Sequence, residues 1–305
     1  MTWFFIAIFA PLLWSFTNHI DKYILSRYSS DEGGVGGLIV YSALFPLLIL
    51  PFMVIIHPLV LDVIIRDVLV LLLAGAINVI AVILYLYAIS DDETSTVIPF
   101  FQLVPVFGFF LGFLVLGEVL TKNQIFAAIL IITGTVILSL EFKAESSTKF
   151  KKKLLLLMIG SSLLYACYDT LFKVIAIKGN FWTAMFWEQL GMVLMGGLLI
   201  VFVRKYRLDF YRIVRGHTTK FFSLNVLNEF VYALGSFIYN YSLLLAPIVL
   251  VMLVNSYQPV FVFIEGIIIT LLLPKIATEK LTREHLVQKI VSITVIVIGS
   301  ALLYI

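Results

Sequence analysis

From Thr96 to Gly117 the chain runs 22 residues with no charge and one carboxamide, Gln102. At ~1.5 Å per residue that is long enough to cross a hydrocarbon core of ~30 Å. Pro99 and Pro105 lie inside it, which a helix tolerates in lipid when neighbouring groups re-satisfy the freed carbonyls. The run ends at Gly117-Glu118-Val119-Leu120-Thr121, and Thr121-Lys122-Asn123-Gln124 reads as a capping box that starts another apolar run. The pattern returns later. Tyr85-x-Tyr87 precedes Leu103-Val104-Pro105-Val106-Phe107, and Tyr239-x-Tyr241 precedes Tyr257-Gln258-Pro259-Val260-Phe261, with 18 residues from the second tyrosine to the proline in both. Glu118-Val-Leu-Thr121 recurs as Glu279-Lys-Leu-Thr282. The chain is an internal duplication.

The copies also match at their starts. Leu12 to Lys22 (LLWSFTNHIDK) aligns without gaps on Leu163 to Lys173 (LLYACYDTLFK) at a constant offset of 151. With 62% hydrophobic and 13% charged residues and a mean hydropathy of +1.09, against about 25% charged in soluble domains, the duplicated unit is a set of membrane spans. Hydropathy gives ten: roughly 3–25, 36–56, 68–89, 95–117 and 122–141, then 154–177, 181–203, 220–244, 247–273 and 285–304. The expected class is therefore all-α integral membrane, with repeats over 1–141 and 154–305 joined by the polar linker 142–153, FKAESSTKFKKK. Five spans per copy is an odd number, so the second copy enters the membrane upside down. Inverted repeats place a binding site near the midplane and let the halves rock about it.

The duplicated tryptophan-to-lysine segment, the Pro105 helix and Gly117-Glu118-x-Leu120-Thr121 before a span containing Gly134 resemble the EamA-type transporters of the drug/metabolite transporter superfamily. Pro259, Glu279-x-Leu281-Thr282 and Gly299 repeat the pattern in a weaker copy. The resemblance implies a bundle that carries small metabolites, often amino acids outward across the plasma membrane, by alternating access. It also implies a cavity lined by the first, third, fourth, sixth, eighth and ninth helices. Ser90-Asp91-Asp92-Glu93 is unusually acidic for that pattern, and 20 residues separate Pro259 from Glu279 against 13 between Pro105 and Glu118.

Helical phase selects the residues that line such a cavity. On the eighth span Glu229, Tyr232, Ser236, Tyr239 and Asn240 share one face. On the ninth Asn255, Gln258 and Glu265 do. The third offers Asn78 and Tyr85, the fourth Gln102, the first Trp14 and Asn18, the sixth Tyr168 and Asp169. Lipid is a poor solvent for these side chains, so they turn inward, either as substrate contacts or as glue between helices. Glu229 lies ~14 Å into its helix at ~1.5 Å per residue, with no lysine within a turn, which makes it a proton-coupling candidate. Glu188 is a second. Lys22 and Lys173 are long enough to snorkel to the interface, and Asp169, one turn before Lys173, is a possible partner for it. Glu118 and Glu279 read as turn-closing residues. Arg204 to Lys220 reads as a basic loop or, alternatively, as an interfacial helix on anionic headgroups.

Spanning carboxylates Asp21, Asp169, Glu188, Glu229 and Glu265 outnumber spanning lysines Lys22 and Lys173. The balance favours a zwitterion or amine over an anionic cargo such as a nucleotide sugar; a drug-like cation is the alternative on the same fold. A membrane-embedded enzyme or a partner subunit is the alternative of another class, but no nucleophile–base pair, phosphate loop, cofactor motif, metal spacing or nucleic-acid module is legible. His19, His57, His217 and His285 are scattered, and the single Cys167 allows no intramolecular disulfide.

Overall fold

The computed structural model describes residues 2–28, 34–91, 97–139, 152–216, 219–272 and 283–302. Among them every regular element is helical: α1 (Thr2–Ala7), α2 (Phe9–Tyr28), α3 (Gly34–Leu44), α4 (Leu50–Ile56), α5 (Ile65–Asp91), α6 (Leu103–Leu111), α7 (Lys122–Ser139), α8 (Lys152–Ala176), α9 (Phe181–Phe202), α10 (Arg204–Gly216), α11 (Thr219–Ser242), α12 (Ile248–Val254), α13 (Gln258–Leu272) and α14 (Arg283–Leu302), with short 3-10 and π turns between some of them. Six segments are long and apolar enough to cross a membrane: Thr2–Asp21, Val35–Ile56, Ile65–Ile89, Lys152–Ala176, Phe181–Phe202 and Ile248–Ile269. Phe100–Leu116, Lys122–Ile137 and Val287–Leu302 are shorter apolar helices. α11 falls in neither group although it has 24 residues, because its polar stripe dilutes its hydropathy. Large apolar side chains such as Phe52, Ile55, Leu114 and Phe202 face outward, as expected where hydrocarbon is the solvent.

Two helices carry prolines at matching places, and both change geometry just before them. A 3-10 turn, Ile98–Gln102, precedes α6 and Pro105, and another, Asn255–Tyr257, separates α12 from α13 and Pro259. A proline cannot donate to the carbonyl one turn back, so the ladder loosens there. The first of these helices ends in a π turn, Gly112–Leu116, closed by Gly117 in the left-handed region at φ 68°. Its reversal lets Glu118 N–H donate to Gly112 O at 3.0 Å. The capping box then forms as the sequence predicts: Thr121 N–H donates to Gln124 Oε1 at 2.9 Å, and Gln124 N–H to Thr121 Oγ1 at 3.2 Å.

The packing partners recur in pairs. α5 packs on α8, and α11 on α2; α6 packs on α8, and α13 on α2; α7 packs on α14, and α6 on α12. The α7–α14 contact is reciprocal. A Cβ on Gly134 would come within 2.9 Å of Ile296 Cγ1 and 3.1 Å of Ser292 O, and one on Gly299 within 2.9 Å of Ile131 Cγ1 and 3.1 Å of Ala127 O. Each glycine thus faces the residues three and seven places before the other, so the two helices run antiparallel and touch through bare backbone.

Arg204–Gly216, weighed as a basic loop, is a helix. Tyr206 and Asp209 are buried on its inner side, and it packs on α3, where a Cβ on Gly36 would meet Asp209 Oδ2 at 2.6 Å. The Tyr206 and Tyr87 hydroxyls meet at 3.1 Å. Glu279, His217 and most of the linker and of the acidic turn 90–93 lie outside the described residues.

Candidate functional site

A cavity of about 240 Å³ lies between the helices, lined by residues from α2, α3, α5, α6, α8, α9, α11, α12, α13 and the turns beside them. α11 contributes most, because Glu229, Tyr232, Ser236, Tyr239 and Asn240 fall within a 100° arc of its surface, and all five line the cavity. α2 approaches α11 closely because Gly235 has no side chain. A Cβ there would lie 2.7 Å from Trp14 Nε1. Trp14 stacks on Tyr232 with ring centroids 6.0 Å apart, tilts over Tyr239 at 5.3 Å and donates to Tyr232 O at 3.3 Å.

The other sequence-selected residues arrive from their own helices. Asn18, Asn78, Tyr85 and Gln102 line the same space, as do Tyr168, Asp169, Asn255 and Gln258. Tyr85 packs on Phe101 at 5.1 Å. Ser256 Oγ donates to Gln102 Oε1 at 2.6 Å, joining equivalent positions of the two proline helices. Tyr239 OH donates to Asp169 Oδ2 at 2.7 Å. Asn240 Nδ2 donates to Tyr168 OH at 3.0 Å and approaches Met185 Sδ at 3.3 Å. Ser236 Oγ turns back to Tyr232 O at 3.0 Å.

The carboxyl groups sort into distinct settings. Glu229 accepts from Ser42 Oγ, and Asp21, which faces the same cavity, accepts from Asn228 Nδ2 at 2.6 Å. Glu188 is fully buried behind the lining; its Oε2 accepts from Gln189 Nε2 at 2.9 Å and its Oε1 has no hydrogen-bond partner among the described residues. Glu265 does not share the cavity with Asn255 and Gln258. It turns toward α2, accepts from Ser15 Oγ at 2.6 Å and lies 3.6 Å from His19 Nε2, because those polar groups offer closer partners than the cavity does. Asp169 is not the partner of Lys173. The lysine is buried rather than snorkelled, paired with Glu118 Oε1 at 2.6 Å and donating to Ala246 O at 2.6 Å. Glu118, read from sequence as a turn residue, also accepts from the Ile248 N–H at 2.7 Å. Outside the spans, burial raises the Asp209 carboxyl above its usual range, with Arg212 and Lys205 pulling the other way.

Sequence phase missed Ser42, Asn225 and Asn228, all in the lining. Asn225 and Asn228 continue the α11 stripe by one more turn and were legible there; Ser42 is a lone hydroxyl in an apolar run and gave no periodic signal. The cavity wall contains three carboxylates, Asp21, Asp169 and Glu229, and no Lys, Arg or His among the described residues. It can therefore hold hydrogen-bond donors and positive charge, and an anion would find no counter-ion in it.

No curated protein matches the chain. A solved structure described only as "Crystal structure of protein" superimposes with a TM-score of 0.70 at 13% identity, covering 99% of this chain and 96% of that one, which is a likeness of fold over the full length. Residues 1–140 match the model of the EamA-like transporter family. Over those residues, a little under half of the chain, the sequence is similar to the EamA-like transporter family.

Proposed function

We propose that the chain is a ten-span transporter built as a 5+5 inverted repeat, which exports a small amine-bearing metabolite, such as an amino acid, across the plasma membrane by alternating access. The observation that carries the cargo class is the cavity wall, with three carboxylates and no basic side chain. The repeats are 1–141 and 154–305, joined by 142–153. The antiparallel contact of α7 with α14 through Gly134 and Gly299 supports the inversion, since these two helices hold equivalent places in the copies. The paired packing, α5 on α8 against α11 on α2, supports it as well.

The substrate-contacting set in this reading is Trp14, Asn18, Asn78, Tyr85 and Gln102 from the first copy. Tyr168, Asp169, Tyr232, Ser236, Tyr239, Asn240, Asn255 and Gln258 come from the second. Glu229 and Glu188 are the proton-coupling groups, being buried carboxyls that accept from Ser42 and Gln189 and have no Lys, Arg or His partner among the described residues. The two halves rock about the cavity and expose it to each side in turn.

The test is uptake into proteoliposomes of purified chain from a panel of radiolabelled amino acids, amines, organic acids and nucleotide sugars. Saturable uptake of amino-bearing solutes supports the reading. Uptake restricted to anionic cargo, or no saturable uptake of any solute at several pH values, ends it.

A further inference from the structure

The acceptor groups of the cavity are divided between two ends. At one end Asp21 and Glu229 both line the cavity, with Glu229 held by Ser42 Oγ. Beside them Asn228 gives its Nδ2 to Asp21 and keeps a buried Oδ1 with no partner. At the other, Asp169 lines the cavity and Glu188 lies fully buried behind the lining. Asn78 lies beside Glu188 with its Nδ2 toward Met192 Sδ at 3.7 Å and its Oδ1 likewise buried without a partner. Asn78 and Asn228 are each about 5% exposed. One end therefore offers two carboxyl groups and an orphan amide oxygen, and the other offers one carboxyl group and an orphan amide oxygen with a second carboxyl buried behind them.

An unpaired buried acceptor costs ~1–3 kcal/mol, so these oxygens are poised for a donor that the chain itself does not supply. A protonated amine carries three N–H donors and no acceptor, which matches the set at each end. The ends are far apart. Glu229 and Tyr239, whose hydroxyl holds Asp169, are ten residues apart on α11, or ~15 Å of helix rise at ~1.5 Å per residue. Between them the wall is aromatic: Trp14, Tyr85 and Tyr232. Such faces accept methylene chains and attract cations.

We infer that the cavity binds a linear aliphatic cation with an amino group at each end, a diamine or longer polyamine, with one ammonium at Asp21, Glu229 and Asn228 and the other at Asp169 and Asn78. The inference rests on the transporter reading of the cavity for its physiological use, but it concerns binding and is tested as binding. A single-headed amine satisfies one end and leaves the other end's acceptors bare. A two-headed one satisfies both while its chain lies along the aromatic wall.

The experiment is titration calorimetry of the purified full chain in detergent with n-alkylamines and α,ω-diaminoalkanes of matched chain length. The diamines are expected to bind at least tenfold tighter than the monoamines, with an optimum in chain length. Glu229→Gln and Asp169→Asn should each reduce the diamine to the affinity of the monoamine while monoamine binding persists, which also reports that the variant is folded. If a carboxyl variant binds neither, Asn78→Leu or Asn228→Leu replaces it, because these remove the orphan oxygen and keep every carboxylate. Equal affinity for matched mono- and diamines, affinity that only rises with chain length in both series, or no binding of any amine overturns the inference. A diamine that binds with an optimum yet is never moved into proteoliposomes upholds it and sinks the transporter reading instead.

Discussion

Glu118 and Lys173, 55 residues apart in the sequence, form a buried ion pair at 2.6 Å, and the second Glu118 oxygen caps the start of α12 through Ile248 N–H at 2.7 Å. One carboxylate thus ties the end of the first proline helix, the end of α8 and the start of the second proline helix. Removing one partner of such a pair strands the other charge, at a cost of ~3–5 kcal/mol. Glu118→Gln and Lys173→Met should each lower the thermal unfolding temperature in detergent, and Lys173→Met in the Glu118→Gln background should cost far less than it does alone. Additive losses would mean that the two side chains do not act as a pair.

The contact between α7 and α14 has no room for a side chain at either glycine. With Ile296 Cγ1 2.9 Å from where a Gly134 Cβ would stand, Gly134→Ala must displace it, and overpacking of this kind costs ~1–3 kcal/mol. Ile296→Ala should restore much of that stability in the double variant although it is destabilising alone. A Gly134→Ala protein as stable as the parent would show that the helices can separate without cost.

How much of this was legible in the sequence depends on where each residue finds its partner. The stripe on α11 was, because helical phase is a property of one segment and lipid leaves polar side chains only one direction to face. The fates of Lys173 and Glu265 were not, because their partners, Glu118 and the Ser15–His19 pair, lie on other helices and nothing local points to them. α10 is an intermediate case. Tyr206 and Phe210 recur at helical spacing, but the arginines and lysines around them masked an inner face that only packing on α3 reveals.

Asp209 sits on that inner face with Oδ2 unpartnered among the described residues. Burial raises its folded-state pKa above the unfolded value, so the folded chain holds its proton more tightly. It therefore costs stability as pH rises from the unfolded value through the folded one. Asp209→Asn should stabilise the protein at pH 7, with the gain fading as pH falls through the raised folded-state value and gone once it is below the ordinary aspartate range. Melting curves of both proteins across that span check it, and a gain that grows toward acid pH would reverse the assignment.

Glu229 tests proton coupling when the cargo is a monoamine, whose binding the Glu229→Gln variant is expected to keep. If its carboxyl carries the proton, Glu229→Gln should reduce uptake driven by an imposed proton gradient at least tenfold, and the uptake that remains should no longer vary with pH. Counterflow exchange, which needs no gradient, should fall less. Undiminished gradient-driven uptake with the parent's pH profile would remove Glu229 from the coupling path.

The charge distribution makes a prediction about orientation, and it opposes the termini-inside arrangement that the resemblance to EamA-like exporters implies. If the ten spans alternate, both termini lie on one side. Seventeen of the 21 lysines and arginines then fall at the opposite ends of the spans, among them Arg204, Lys205, Arg207, Arg212 and Arg215 of α10 and Lys149 to Lys153 of the linker. Of the remaining four, Lys173 is buried against Glu118 and contributes no free charge. Basic segments close to a span are retained in the cytoplasm, and α10 packs against α3 and Tyr87, at the end of the bundle away from the termini. Both termini should therefore face outward, with α10 on the cytoplasmic leaflet. Alkaline phosphatase fused to Ile305 is active only outside the cytoplasm; an active fusion is expected, and an inactive one at normal expression would place the termini inside and put α10 on the outer leaflet.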